Sequence, residues 1–304
     1  MMYGIHQLLF SENFTAKELW VLDLAKKLGF DGVEFTLFDP DPLPIDGIKA
    51  RAKSLGLRLN TGIGLSARHN LISPVEKTRR RGIAFMKKLL DVSQKIGAEN
   101  LTGVNYAGWG YLSGKMRTPQ EWDWAVEGFG EICRFAKENT DVVLCIEPVN
   151  RFESHFINTA ADAVKFLRDV GAKNARVHLD TFHMIREEEN FTKAVKACGF
   201  RLGYVHACEN QRGIPGTGMV PWEEFFRALK AVGYDGWITI ESFDPDMESI
   251  SKLCCIWRKL ANSPEELASR GLKHLKKMER KTRILSSRGG HLTTPCGNGA
   301  DKTA

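Results

Sequence analysis

Val142-Val143-Leu144-Cys145-Ile146 runs straight into Glu147-Pro148-Val149-Asn150-Arg151-Phe152-Glu153. The apolar half is short and partly β-branched, the pattern of a strand buried on both faces. Glu147 stands at its C-terminal end, and Pro148, which has no N–H, stops the ladder there. The same ending recurs downstream: Ala175-Arg176-Val177-His178-Leu179 runs into Asp180, Leu202-Gly203-Tyr204-Val205 into His206, and Trp237-Ile238-Thr239-Ile240 into Glu241. Four consecutive strands therefore finish on Glu, Asp, His and Glu. Three carboxylates gathered this way repel one another unless a cation compensates them. Glu147, Asp180, His206 and Glu241 form an oxygen-rich set suited to a divalent ion such as Mn²⁺ or Mg²⁺. A zinc-site pattern is absent: there is no HExxH and no cysteine among the four.

Outward from this stretch the chain alternates between strand and helix patterns. Strands are expected at Tyr3 to Phe10, Gly32 to Phe38, Leu57 to Ile63 and Asn100 to Val104, ahead of the four above. Between them run amphipathic segments at Leu19 to Gly29, Ile48 to Leu55, Val75 to Ile96 and Glu121 to Glu138, with Gly29, Gly56 and Gly97 as stops. Further helices are expected near Ala160 to Val170, Asn190 to Ala197 and Trp222 to Val232, with Asn158-Thr159 and Asn190 near the caps. Leu253 to Leu260 and Pro264 to Arg283 read as closing helices. Eight strand–helix units without a composition break argue a single (β/α)₈ TIM barrel over residues 1–285. A doubly wound open sheet is the structural alternative, but it would gather ligand groups near one switch point rather than along four strand ends. Residues 286–304, rich in Ser, Gly and Thr, read as a disordered tail.

Composition narrows the function. In 304 residues, 43% are hydrophobic and 26% charged, as in a soluble globular protein. The net charge of +6 gathers partly in Lys273, Lys276, Lys277, Arg280, Lys281 and Arg283. No aromatic residues interleave there, which favours a solvated helix end over a nucleic-acid surface. Seven scattered cysteines without a CxxC pair indicate a reducing, cytoplasmic setting. No run is long and apolar enough to span a membrane, and the start of the chain lacks the pattern of a signal peptide.

Further polar groups follow the four strand ends at loop-scale spacing: Glu153 six residues after Glu147, His183 three after Asp180, and Arg212 six after His206. Each is placed to meet a substrate hydroxyl. The bland alternatives are a surface cation for Arg212 and a core histidine bonded to backbone for His183. The glycine-rich segment Arg212 to Gly218 lacks a P-loop Lys-Ser/Thr and reads as a mobile loop over the site.

Glu147 to Asn158 (EPVNRFESHFIN), Leu179 to Met184 (LDTFHM), Tyr204 to Arg212 (YVHACENQR) and Ile240 to Phe243 (IESF) together resemble the ketose 3-epimerases. That family, which includes D-tagatose, D-psicose (D-allulose) and L-ribulose 3-epimerases, sits among the xylose-isomerase-like barrels. The resemblance extends over about residues 3 to 283. It implies a metal-dependent isomerase that inverts C3 of free ketoses through a cis-enediolate. Glu147, Asp180, His206 and Glu241 match the family's metal ligands, and Glu147 and Glu241 also match its two catalytic acid/bases. Glu153, His183 and Arg212 match residues that hold the substrate's first oxygens. His6 stands where D-tagatose and D-psicose members carry an aromatic residue, Gly62 occupies a variable pocket position, and Glu241-Ser242-Phe243 replaces Glu-Pro-Phe. His6 and the Glu-Ser-Phe motif are closer to the L-ribulose branch.

The implied cofactor is one divalent metal per chain, Mn²⁺ first, with Mg²⁺ or Co²⁺ as alternatives. The implied partners are a free ketose and further copies of the chain, as a homodimer or homotetramer. Tyr106 and Trp109 are expected to wall the far end of the sugar. Rival readings are an aldose–ketose isomerase moving hydrogen between C1 and C2, a barrel metallonuclease, and a non-catalytic sugar-binding protein. The nuclease would need several metals and more histidine ligands than the one clear candidate among eight histidines.

Overall fold

The computed structural model describes residues 1–288. Its eight strands are β1 (Met2–His6), β2 (Gly32–Thr36), β3 (Arg58–Gly64), β4 (Ala98–Val104), β5 (Val143–Ile146), β6 (Ala175–Asp180), β7 (Leu202–Ala207) and β8 (Trp237–Ile240). They pair in parallel in chain order, and β1 also pairs with β8, so the sheet closes into a barrel. The helices are α1 (Trp20–Leu28), α2 (Ile45–Leu55), α3 (Glu76–Ile96), α4 (Pro119–Asn139), α5 (Ala160–Val170), α6 (Thr181–Glu187), α7 (Phe191–Cys198), α8 (Trp222–Ala231), α9 (Glu248–Cys254) and α10 (Pro264–Arg288). The (β/α)₈ expectation holds.

Local chemistry explains the element ends. Thr118 caps α4 in a reciprocal box with Glu121, and Pro119 begins the helix. Thr159 and Asn190 cap α5 and α7 through Asp162 N–H and Lys193 N–H. Gly29 and Gly97 end α1 and α3 at φ 88° and 81°, left-handed values that suit a residue without Cβ. Apolar helix faces and outward strand residues form one continuous core, including Phe129, Phe166, Leu89 and Ile238. Inside the barrel, Cys145, Tyr204 and Trp237 form a separate buried cluster. The inward side chains nearer the strand ends are polar.

Several boundaries differ from expectation. Residues Gln7–Leu9 form a 3₁₀ turn rather than the end of β1, because Leu8 N–H donates to His6 Nδ1 at 3.3 Å and turns the chain. Helix α6 starts directly on Asp180, which caps it by accepting from Phe182 N–H at 2.7 Å. The helix expected at Leu253 to Leu260 lies earlier, at α9, where Cys255 ends it with a left-handed φ of 54°. Helix α10 continues past residue 285, and residues 289–304 of the expected tail lie outside the described residues. Among the described residues no helix is long and apolar enough to cross a membrane.

Candidate active site

Strand register brings the four predicted ligands together. Asp180 on β6 pairs directly with His206 on β7, and His206 pairs with Thr239, two residues before Glu241. Side chains two apart in a strand share a face, so these groups project into one mouth at the C-terminal ends of the strands. Glu147 is set by its backbone: its N–H donates to Gly103 O at 3.0 Å, and its carbonyl accepts from Tyr106 OH at 2.7 Å. Tyr106 is fully buried, so it fixes the base of this strand end and does not wall the sugar as expected.

The cluster is richer than four residues. Glu147, Asp180 and His183 each place a ligand atom within 4.8 Å of one another, as do Glu147, His178 and His206, and Asp180, Cys208 and Glu241. Besides the one candidate histidine ligand, His206, the histidines His178 and His183 also face Glu147, at 3.7 and 3.6 Å. Sequence reading missed His178, two residues before Asp180 on the same face of β6, and Cys208, just past the end of β7.

His206 supplies the test of metal fit. Its Nε2 lies 2.9 Å from Glu34 Oε2, whereas its buried Nδ1 has no hydrogen-bond partner. Glu241 Oε1 is 3.5 Å from that Nδ1, so a buried unpartnered nitrogen and a carboxylate oxygen, both ligand-type atoms, stand together. Burial opposes a charged His206 ring, but the carboxylates of Glu34 and Glu241 outweigh it and raise the imidazole well above its usual range. Glu147 shows the opposite imbalance. Burial, reinforced by Glu241 and Asp180, pushes its carboxyl well up despite His206. Both shifts describe a pocket short of positive charge, and the donor set fits a hard divalent ion.

Arg212 is a buried site residue, 6% exposed, and not a surface cation. Its Nη1 donates to Asp180 Oδ2 at 2.8 Å and also reaches Glu241 Oε2. Its guanidinium carbon lies 3.8 Å from the centre of the Phe182 ring, and its backbone is left-handed at φ 63°. Such a conformation in a non-glycine residue is sustained by its surroundings. Here Arg212 N–H donates to Glu209 O, and Ser242 Oγ donates to Arg212 O.

The loop after Arg212 is tied down at Gly216 and at Trp222 beyond it. Buried Glu209 accepts from Gly216 N–H and Trp222 Nε1, both at 2.6 Å.

The remaining predicted residues sort by their contacts. His183 Nδ1 accepts from Asn150 N–H at 3.1 Å, so the ring does bond backbone, yet its Nε2 faces Glu147 and Asp180. Burial lowers its pKa more than Glu153 and Asp180 raise it, which keeps the ring neutral. Glu153 accepts from Trp109 Nε1 at 2.6 Å and Asn150 Nδ2 at 2.8 Å. Burial works against its charge, but His183 and Arg212 hold the carboxyl below its usual range. Trp109 lies in the pocket wall, stacked on Phe38 with 6.3 Å between ring centres.

His6 also lines the wall, but both its nitrogens are engaged, Nδ1 by Leu8 N–H and Nε2 by Thr36 Oγ1 at 2.9 Å. Gly62 borders the pocket as expected, and its missing Cβ makes room for Glu34: a Cβ would meet Glu34 Oε1 at 2.6 Å. The cleft measures about 660 Å³ including its open mouth, enough for a small sugar.

Residues 22–278 match the xylose isomerase-like TIM barrel family. An L-ribulose 3-epimerase of Mesorhizobium japonicum is 35% identical over 260 residues, covering 84% of this chain and 87% of that protein. The chain belongs to the ketose 3-epimerase family. It is an isomerase of the carbohydrate epimerase class. The crystal structure of a Methylomonas D-allulose 3-epimerase in complex with D-allulose superposes on it with TM-score 0.87 at 32% identity, covering 91% of this chain and 97% of that one. A solved L-ribulose 3-epimerase gives TM-score 0.92 at 31% identity, with 97% and 99% covered. In this epimerase the four strand-end residues, Glu153, His183 and Arg212 therefore converge on one mouth of a barrel typical of its relatives. The residue that sequence reading overlooked most is Glu34. It is 1% exposed, inside the short run Gly32–Thr36, and an acid between Val33 and Phe35 in a buried strand was its signal.

Proposed function

We propose that this epimerase inverts C3 of a free ketose of the D-tagatose, D-psicose/D-fructose or L-ribulose/L-xylulose class. One divalent cation, Mn²⁺ by preference, would be held by Glu147, Asp180, His206 and Glu241. Bound there, such an ion supplies positive charge that stabilises the developing enediolate and lowers the cost of removing the C3 proton.

The protein's own groups do the rest. Glu147, from β5, and Glu241, from β8, approach the mouth from separate strands and address opposite faces of C3. One carboxylate takes the proton while the other returns one from the far side, and the roles exchange in the reverse direction. Glu153, His183 and Arg212 hold sugar oxygens, and Trp109 braces Glu153 while closing the pocket to water.

The observation that carries this reading is geometric: Glu147 after β5 and Glu241 after β8 reach one cleft from separate strands, together with His206, Glu153, His183 and Arg212. Two carboxylates facing one pocket from different sides are what a two-base inversion at carbon needs.

The test is a panel of free ketopentoses and ketohexoses incubated with Mn²⁺ in D₂O. C3 epimers should form with deuterium at C3 and C1 unlabelled. Deuterium at C1 with aldose as product would replace this reading by the C1/C2 isomerase.

A further inference from the structure

Glu34 lines the cleft next to His206 but belongs to none of the ligand-type clusters. Its Oε2 is 2.9 Å from His206 Nε2 and accepts from Tyr204 OH at 2.8 Å, while its Oε1 accepts from Thr102 Oγ1 at 2.7 Å. Tyr204 OH is in turn 2.7 Å from Thr239 Oγ1. These partners come from β4, β7 and β8, whereas Glu34 comes from β2, so the carboxylate is fixed from across the barrel. The space beside Oε1 is kept open by Gly62.

An ionised carboxylate only accepts hydrogen bonds, so the hydrogen between Glu34 and His206 sits on Nε2. The other ring nitrogen, Nδ1, is buried, lacks a hydrogen-bond partner and faces Glu241 Oε1 at 3.5 Å.

We propose that Glu34 is a positioning residue, which locks the ring plane of His206 and its Nε2–H tautomer so that the Nδ1 lone pair is presented to the cation. This assignment rests on the metal reading above. It gives a physical reason for a buried acid in a strand that also carries the core residues Val33 and Phe35. A carboxylate behind a histidine ligand restricts its rotation and increases its donor strength, and losing one commonly weakens metal binding by about 10–100-fold.

Glu34→Gln keeps the shape and the bond from Thr102 but removes the charge. Metal-stripped protein, unaltered and variant, is titrated with Mn²⁺ by calorimetry, and ¹⁵N-histidine-labelled protein is observed by NMR with and without diamagnetic Zn²⁺. In the Zn²⁺-loaded unaltered protein His206 should carry its one hydrogen on Nε2, with Nδ1 shifted by the ion. Glu34→Gln should weaken Mn²⁺ binding about 10–100-fold and give a mixed His206 tautomer. At saturating Mn²⁺ it should recover most of its kcat.

Unchanged affinity and an unchanged tautomer in the variant would overturn the role of Glu34 alone. A His206 with hydrogen on Nδ1 in the Zn²⁺-loaded unaltered protein would do the same, and that readout stands even where the variant does not fold. An unaltered protein that binds no Mn²⁺ would instead overturn the metal reading itself.

Discussion

Arg212 donates to Asp180 across 2.8 Å with the same Nη1 that reaches Glu241, so one guanidinium nitrogen neutralises carboxylates from two neighbouring strands. In the metal-free protein the arginine provides the positive charge that the cluster lacks. With a cation among the carboxylates, its remaining donors are available to a sugar oxygen. Arg212→Ala should therefore separate two effects. Without metal, breaking a buried ion pair should destabilise the fold by roughly 3–5 kcal/mol, and Mn²⁺ should restore much of the lost melting temperature. With metal, kcat/KM for ketoses should fall about 10–100-fold, the loss of one charged hydrogen bond, while Mn²⁺ affinity holds or rises. Calorimetry and steady-state kinetics on one preparation check both. Unchanged kinetics would remove Arg212 from the substrate contacts.

Metal binding should release protons. In the metal-free protein, burial together with Glu241 and Asp180 raises Glu147, so its carboxyl holds a proton above the usual carboxylate range. The His206 ring is raised by Glu34 and Glu241 against the effect of burial. A ligand must be deprotonated. The sign follows: as pH rises through these raised values the competing protons leave, so Mn²⁺ affinity should climb with pH and flatten above them. For Glu147, ionisation in the metal-free fold is penalised relative to the unfolded chain. Its contribution to metal-free stability is complete below the unfolded value and lost as pH rises through the folded one. Stabilisation by Mn²⁺ should thus be greater at neutral than at acid pH. Calorimetric titration in buffers of different ionisation enthalpy counts the protons, and zero release would contradict the arrangement.

Tyr106→Phe should uncouple the placement of Glu147 from its chemistry. The lost hydroxyl leaves the buried Glu147 carbonyl without its 2.7 Å donor, at a cost of about 1–3 kcal/mol. The melting temperature should fall, kcat should fall with it, and bound metal should remain near one per chain. Full activity would show that this carbonyl anchor does not set the Glu147 side chain.

The sequence made the ends of β5 to β8 legible because each is a short apolar run stopped by a ligand-type residue. A buried strand with a carboxylate at its end has few structural uses, so Glu147, Asp180, His206 and Glu241 could be read without knowing which strands are neighbours. Glu34 could not. Its meaning depends on Thr102 from β4 and on Tyr204 and His206 from β7, two strands far from it in sequence. The reading of Tyr106 failed for a related reason. An aromatic residue in a loop near a site can face the substrate or the core, and a bond to the Glu147 carbonyl decides which. The misplaced helix near α9 reflects a local ambiguity, since the apolar residues from Leu253 onward suit either a helix face or the folded-back segment that follows Cys255.

Removing either catalytic carboxyl should stop epimerisation but leave a trace of which face it served. Glu147→Gln and Glu241→Gln each keep the size of the side chain and abolish its proton transfer, a loss of about 10²–10⁴ in kcat. Both are also assigned as ligands, so metal content must be measured in each variant before rates are compared. In variants that keep the metal, the surviving carboxylate can still remove the C3 proton on its own side and return it there. In D₂O this appears as exchange without inversion. One variant should then wash deuterium into C3 of one epimer, and the other variant into C3 of its partner. Epimerisation at the unaltered rate in either metal-loaded variant would end the two-carboxylate assignment.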